Sequence, residues 1–398
     1  MKSNTNIHRL PFKLSLLAIS LFIMMSAVIS PALPLMMHAF PTISHVKIEL
    51  LATIPNLGMI FGLLISPFLN RKWSQKRIIL ISLLIVGVMG TLPVILNNYL
   101  LILISRIFLG IGIGSYNSLA VSLIPQLYTS NQHELNRMIG FQNIMNNLGY
   151  VIGSLAICYL VTLSWHAVFL VYIIAIPVLL AFKIWVQLPK STKKAKNNSL
   201  SFHDLTKLVQ PVIIWISMMV LLIYIFYMAL AYKLPTLIVD AGLGSESTAS
   251  LLLALLAAIG IPISAAFDWL EQRLHQFVFP LCLAFNAGGF FLISTAHHFW
   301  ILVTGCIILG SGFGLVMPFI FKWIDNVSDK NAVNFSTTIV LIMMDIGCTI
   351  SPLVIALIDH TARGALFASA IFFTLLTIYG LLKSLKHTFI KSSFVKLS

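Results

Sequence analysis

Apolar residues along this chain come in long unbroken runs, and polar residues gather in the short stretches between them. Runs of about 19 residues or more suit helices that cross a bilayer. Roughly 20 residues at about 1.5 Å each span about 30 Å of hydrocarbon. The pattern predicts twelve spans, at approximately 14–36, 50–68, 78–96, 100–123, 139–163, 166–188, 211–232, 249–267, 277–296, 299–321, 335–358 and 362–383. A membrane barrel would instead show alternating segments of about 10 residues. The expected fold class is an all-α membrane protein, since helices satisfy their own backbone groups in lipid. The first run follows Lys2, Arg9 and Lys13 and is longer than the signal-peptide core of about 7–15 residues. It reads as an uncleaved helix.

The longest interruption, 189–210, is polar and lysine-rich. It predicts a linker between a six-helix half at 1–188 and a second at 211–398. The halves match at a nearly constant offset of 198 to 201 residues. Leu33-Pro34 answers Leu234-Pro235, and Ser66-Pro67-Phe68 answers Ser264-Ala265-Ala266. Gly110, Gly112 and Gly114 answer Gly310, Gly312 and Gly314. Gly149, Gly153 and Ser154 answer Gly347, Ser351 and Pro352, and Ala167-Val168-Phe169 answers Ala365-Leu366-Phe367. With six spans each, both halves start on the same side. The chain is therefore expected to be a parallel repeat about an axis along the membrane normal.

Charge gives the orientation. Of 25 Lys and Arg, only Lys47 and Arg363 fall in the odd-numbered loops, and only Arg106 and Lys233 in or at the ends of spans. The others lie in the termini and even-numbered loops, so both termini and the linker are expected to be cytoplasmic, with the chain multi-pass in the cell membrane. The composition, 59% hydrophobic and 9% charged, is far from the roughly 25% charged residues of soluble domains. The net charge of +14 does not point to nucleic acid, because the basic residues flank spans rather than cluster on a soluble module. Cys158, Cys282, Cys306 and Cys348 lie in apolar runs without metal or redox spacing.

The fourth run holds Arg106, followed by Gly110, Gly112 and Gly114. An intramembrane charge is costly and marks a candidate functional site. Glycines let a neighbouring helix approach closely. In the second half Cys306 stands where the arginine was. The arginine-and-glycine pattern, the basic stretch Asn70-Arg71-Lys72-Trp73-Ser74-Gln75-Lys76-Arg77 and the glycines Gly140, Gly149 and Gly153 of the fifth run together resemble the major facilitator superfamily. Within it they resemble the drug- and metabolite-proton antiporter branch. The resemblance implies a secondary transporter working by alternating access, with a role for Arg106 in proton transfer. Three departures stand out. Asn70 replaces the usual acid of the cytoplasmic loop motif, which Asp268 keeps in the second half. Ser66 replaces its glycine. Ser154, Ile157 and Cys158 replace the proline and glycine pair that exporters often carry in the fifth span.

Asp345 is the one carboxylate the runs place deep in a span. Burial disfavours a charged carboxylate, which suits such a group to loading and releasing protons. Asn143, Asn147 and Tyr150 share one face of the fifth span, with Gln142 and Asn146 alongside, and Tyr116 and Asn117 follow the glycines of the fourth. These polar groups are expected to line a pathway or to bond between helices. Lys233, His166, His297 and His298 read as interfacial. The pattern calls for no cofactor or metal, and no nucleotide-binding or hydrolase motif appears, so an intramembrane enzyme is the weaker alternative. Glu49 is read at an outer end and Glu134 in a loop, so the first half lacks a buried anion for a cationic solute. A proton-coupled exporter of drugs or metabolites, monomeric in the bilayer, is the leading reading. A proton-coupled importer of a small organic anion, with Arg106 as counter-charge, is the alternative.

Overall fold

The computed structural model describes residues 9–128, 132–186, 210–329 and 332–395. Most of the linker 189–210 lies outside them. Every regular element among the described residues is a helix. Eleven are long and apolar enough to cross a membrane, and a bent pair, Leu10–Phe22 with Met25–Ala39, makes a twelfth. Packing divides the chain into two compact units, Met1–Leu205 with Cys348–Pro352, and Thr206–Gly347 with Leu353–Ser398.

The first unit holds span 1 (the bent pair), span 2 (His45–Lys72), span 3 (Gln75–Val94), span 4 (Tyr99–Leu127), span 5 (Gln132–Leu163) and span 6 (Ala167–Trp185). Local chemistry sets the boundaries. The Asn98 side chain accepts from the amides of Leu100 and Leu101 at the start of span 4, at 2.9 and 3.3 Å. Ser74 accepts from the Arg77 amide at the start of span 3. Such side chains satisfy amides that a helix start leaves without partners.

Span 1 differs from the expected continuous helix. It bends by 49° and includes the 3₁₀ turns Ile19–Phe22, Met25–Ala27 and Ser30–Ala32. Pro31 has no N–H to give the Ala27 carbonyl. The Ser30 hydroxyl donates to that carbonyl instead, at 2.5 Å. Spans 2 and 3 also differ, because Asn70 and Arg71 are helical and only Trp73 and Ser74 separate the two helices. Glu134 sits in the first turn of span 5 rather than in a loop. There its carboxylate receives the Lys13 ammonium at 2.5 Å.

The second unit holds span 7 (Pro211–Asp240), span 8 (Glu246–Ala265), a short helix (Phe267–Leu274), span 9 (Val278–Ser294), span 10 (Phe299–Val327), span 11 (Val333–Ile358) apart from Cys348–Pro352, and span 12 (Ala362–Val395). Span 7 stops at Gly242, whose φ of +63° suits a residue without Cβ. The Leu243 amide reaches back to the Ile238 carbonyl and the Gly242 amide to Val239, which closes the helix end.

Candidate functional site

The glycine triplet of span 4 clamps two helices at once. A methyl group at Gly110 would stand 2.0 Å from the Pro55 carbonyl oxygen, and one at Gly114 would stand 2.1 Å from that of Met59, both on span 2. A methyl at Gly112 would press on span 3, 3.0 Å from the Ser82 carbonyl. Methyl groups at Gly58 and Gly62 of span 2 would likewise stand 2.2 and 2.3 Å from the span 4 carbonyl oxygens of Ile107 and Ile111. The second unit repeats the design on its own residues. Gly310 faces Leu256 of span 8 and Gly314 faces Gly260, while Gly312 faces the Cys282 carbonyl of span 9. Span 5 rests on span 1 through Gly149, where a methyl would fall 1.8 Å from the Leu21 carbonyl. Span 11 rests on span 7 through Gly347 against Leu221, and Gly153 packs on Met25 and Val28. The same offset of about 200 residues relates each pair of contacts. The internal repeat is thus present in the packing within each unit.

Arg106 lies at the centre of the first unit with 0% of its surface exposed. Its Nε donates to the Leu51 carbonyl at 3.0 Å and one terminal nitrogen donates to the Tyr172 hydroxyl at 2.8 Å. The other terminal nitrogen donates to the Ser26 carbonyl. The guanidinium also lies over the rings of Tyr172 and Phe169, at 5.4 and 6.0 Å. Burying an unpaired cation costs several kcal/mol, about what three charge-assisted bonds at roughly 1.5–3 kcal/mol each can offset. The charge therefore rests on two carbonyls and a phenol drawn from spans 1, 2 and 6. Tyr172, which completes this arrangement, does not stand out in the sequence, because an aromatic residue in an apolar run resembles any lipid-facing one. The 198-residue offset gives the missing signal, since it pairs Tyr172 with Ala370.

The other predicted residues fall as follows. Tyr116 is fully buried, and its hydroxyl has no hydrogen-bond partner among the described residues. Asn117, Asn147 and Tyr150 are half-buried, and the Asn143 side chain lies outside those described. Asp345, in the second unit, is 8% exposed. Glu49 corrects the expectation that the first half lacks a buried anion. It is 1% exposed in the first turns of span 2, a helix that begins at His45 rather than near residue 50. Lys233 is 4% exposed, and its ammonium donates to the His360 carbonyl, in the turn between spans 11 and 12, at 3.2 Å.

The basic stretch after span 2 is laid over aromatic rings. Arg71 stands over Phe68 and Arg77 over Trp73, at 5.4 and 5.2 Å, and the Lys76 ammonium donates to the Lys183 carbonyl at 2.8 Å. In the second unit Asp268 is exposed in the first turn of the short helix, while Glu271 of that helix pairs with Lys322 of span 10.

Comparison with known proteins agrees with this architecture. The sequence profile described as Major Facilitator Superfamily matches residues 15–352. One curated relative, the "Bacillibactin exporter" of Bacillus subtilis (strain 168), is 23% identical over 149 residues, covering 36% of this chain and 37% of that protein. The chain thus spans little more than a third of the length of the curated relative it matches. Among solved structures, a mutant form of nucleoside transporter NupG has a TM-score of 0.76 at 11% identity, over 95% of this chain and 99% of that one. A bacterial homolog to the human lysosomal transporter Spinster has a TM-score of 0.75 at 15% identity, over 96% and 97%. At these identities the two structures show the fold alone.

Proposed function

The chain belongs to the Major Facilitator Superfamily and is a membrane transporter rather than an enzyme. From that premise we propose that it is a proton-coupled exporter of a small molecule, working by alternating access as a monomer in the cell membrane. The observation that carries the coupling is Asp345, a carboxylate 8% exposed within a membrane-spanning helix. It is the one carboxylate of that helix, and a carboxylate can carry a proton on and off. In this reading Asp345 loads and releases the coupling proton. Substrate lies against the half-buried Asn147 and Tyr150, with Asn117 alongside. Tyr116 and Arg106 act through the helix packing of the first half rather than on the solute.

The activity named for the Bacillus subtilis relative, export of bacillibactin, supports the direction. Uptake of an organic anion held by Arg106 draws less support, because all three guanidinium nitrogens already bond within the first unit. Everted membrane vesicles energised by respiration test the proposal, with bacillibactin and a nucleoside offered as separate probes. The expected result is bacillibactin accumulation that collapses when a protonophore dissipates the gradient. Gradient-independent movement, or concentrative uptake of either probe by intact cells, would overturn it.

A further inference from the structure

The two units share the same helix contacts but differ sharply at one level. In the first, span 1 is broken around Met25 and Ser26. Their carbonyls accept from the Tyr172 hydroxyl, at 2.9 Å, and from Arg106. In the second, span 7 runs unbroken from Pro211 to Asp240. At the matching level the Phe226 carbonyl accepts from the Ser369 hydroxyl, at 3.1 Å. Three substitutions across the repeat accompany this difference. Arg106 is matched by Cys306 and Tyr172 by Ala370. Gly90, on which the Tyr172 ring rests so closely that a methyl would meet it at 2.5 Å, is matched by Phe290. Phe290 and Ala370 are both buried, and Phe290 stacks on Phe373 at 5.4 Å. Bulk has thus been exchanged across the seam between helices, and the large residue of the first unit is the one that carries a hydroxyl to the break.

We propose that Tyr172 is a positioning residue for transport. It orients the Arg106 guanidinium and takes the Met25 carbonyl itself. The broken segment of span 1, residues 19–33, is thereby held as one body with spans 4 and 6. Pro31 withholds a donor from the Ala27 carbonyl, which Ser30 takes, and one turn earlier the Arg106–Tyr172 pair takes the carbonyls of Met25 and Ser26. A short 3₁₀ stretch in mid-helix commonly marks a hinge, and a hinge transmits motion only if its two sides are fixed to something. This inference rests on the transporter reading for its functional half and on the geometry for its structural half.

The test uses the full-length protein in lipid nanodiscs. Tyr172→Phe removes one oxygen and keeps the ring. Hydrogen exchange read by mass spectrometry should accelerate about tenfold in residues 19–33, with spans 2 to 5 unchanged, which is the loss of one hydrogen bond between buried groups. In everted vesicles the maximal rate of bacillibactin transport should fall about fivefold or more while KM stays within about twofold, because ground-state binding is left alone. The triple variant Gly90→Phe, Arg106→Cys, Tyr172→Ala installs the second half's own packing and guards against a void that unfolds the unit. It too should lose protection in residues 19–33 and lose transport. Wild-type exchange rates in residues 19–33 of both variants would overturn the inference. So would protection lost equally over all six spans of the first unit. If wild type itself does not move bacillibactin, that result counts against the proposed export, and the exchange measurement alone decides the role of Tyr172.

Discussion

Arg106 donates to the Tyr172 hydroxyl at 2.8 Å, and that hydroxyl donates onward to the Met25 carbonyl at 2.9 Å. The chain of bonds turns a buried charge into a clamp on span 1. Arg106→Ala should insert and fold with a stability loss of about 1–3 kcal/mol, the cost of leaving buried acceptors unpaired, and should not transport. Arg106→Lys should recover little, because one ammonium cannot reach three acceptors set at the fork of a guanidinium. Thermal unfolding in detergent and vesicle transport check both variants. Wild-type transport by Arg106→Lys would show that charge alone suffices.

The glycines make a sharper structural prediction. Gly110→Ala and Gly114→Ala drive a methyl into a span 2 carbonyl at 2.0 and 2.1 Å. The helices must separate, at a cost of about 1–3 kcal/mol or more. Gly288→Ala meets nothing within 4 Å and should stay within about 0.5 kcal/mol of wild type. Melting temperatures of the purified variants decide. A Gly110→Ala protein as stable as Gly288→Ala would contradict the close approach of spans 2 and 4.

Asp345→Asn keeps the volume and removes the titratable proton. Uphill transport should be lost, while binding and downhill exchange persist, because alternating access can proceed on substrate alone. The wild-type pH profile should follow one group, with coupling failing as pH rises past the point where the carboxyl no longer reloads. Uphill transport by Asp345→Asn at wild-type rates under the same gradient would remove this residue from the coupling.

Topology can be read directly. In a cysteine-free background, a cysteine at Ser199 should react only after the membrane is opened, and one at Asn98 should react from outside. From the distribution of Lys and Arg the first is expected on the cytoplasmic side. Labelling of Ser199→Cys from outside in intact cells would reverse the orientation.

Much of the architecture is legible in the sequence, because membrane spans announce themselves by length and apolarity. The repeat is legible because glycine at a helix crossing cannot be exchanged without moving a backbone. Gly110, Gly112 and Gly114 therefore keep both their spacing and their partners in the second half. The break in span 1 is not legible in the same way. Pro31 and Pro34 hint at it, but its shape depends on donors from residues 106 and 172, far along the chain. Glu49 escapes a sequence reading for a related reason. Position in a run says how far a residue lies from the end of a helix, not what neighbouring helices lay over it. Asn70 and Arg71 read as loop because they are polar, yet the helix carries them into solution before Trp73 ends it.

The alternation of Gly110, Gly112 and Gly114 between two neighbours bears on how the protein is made. Spans 2 and 3 leave the ribosome before span 4, and their facing surfaces are shaped to receive a helix that does not yet exist. In lipid, helices associate through good fit, hydrogen bonding and lipid entropy rather than through the hydrophobic effect. The first three spans are therefore expected to pack only loosely until about residue 127 has been synthesised. The arrival of span 4 then brings the seam and the Arg106 charge in one event, before spans 5 and 6 can offer Gly149 and Tyr172. For that interval the arginine lacks its phenol partner. A ribosome-stalled fragment ending just after span 4 should accordingly be degraded faster than one ending after span 6.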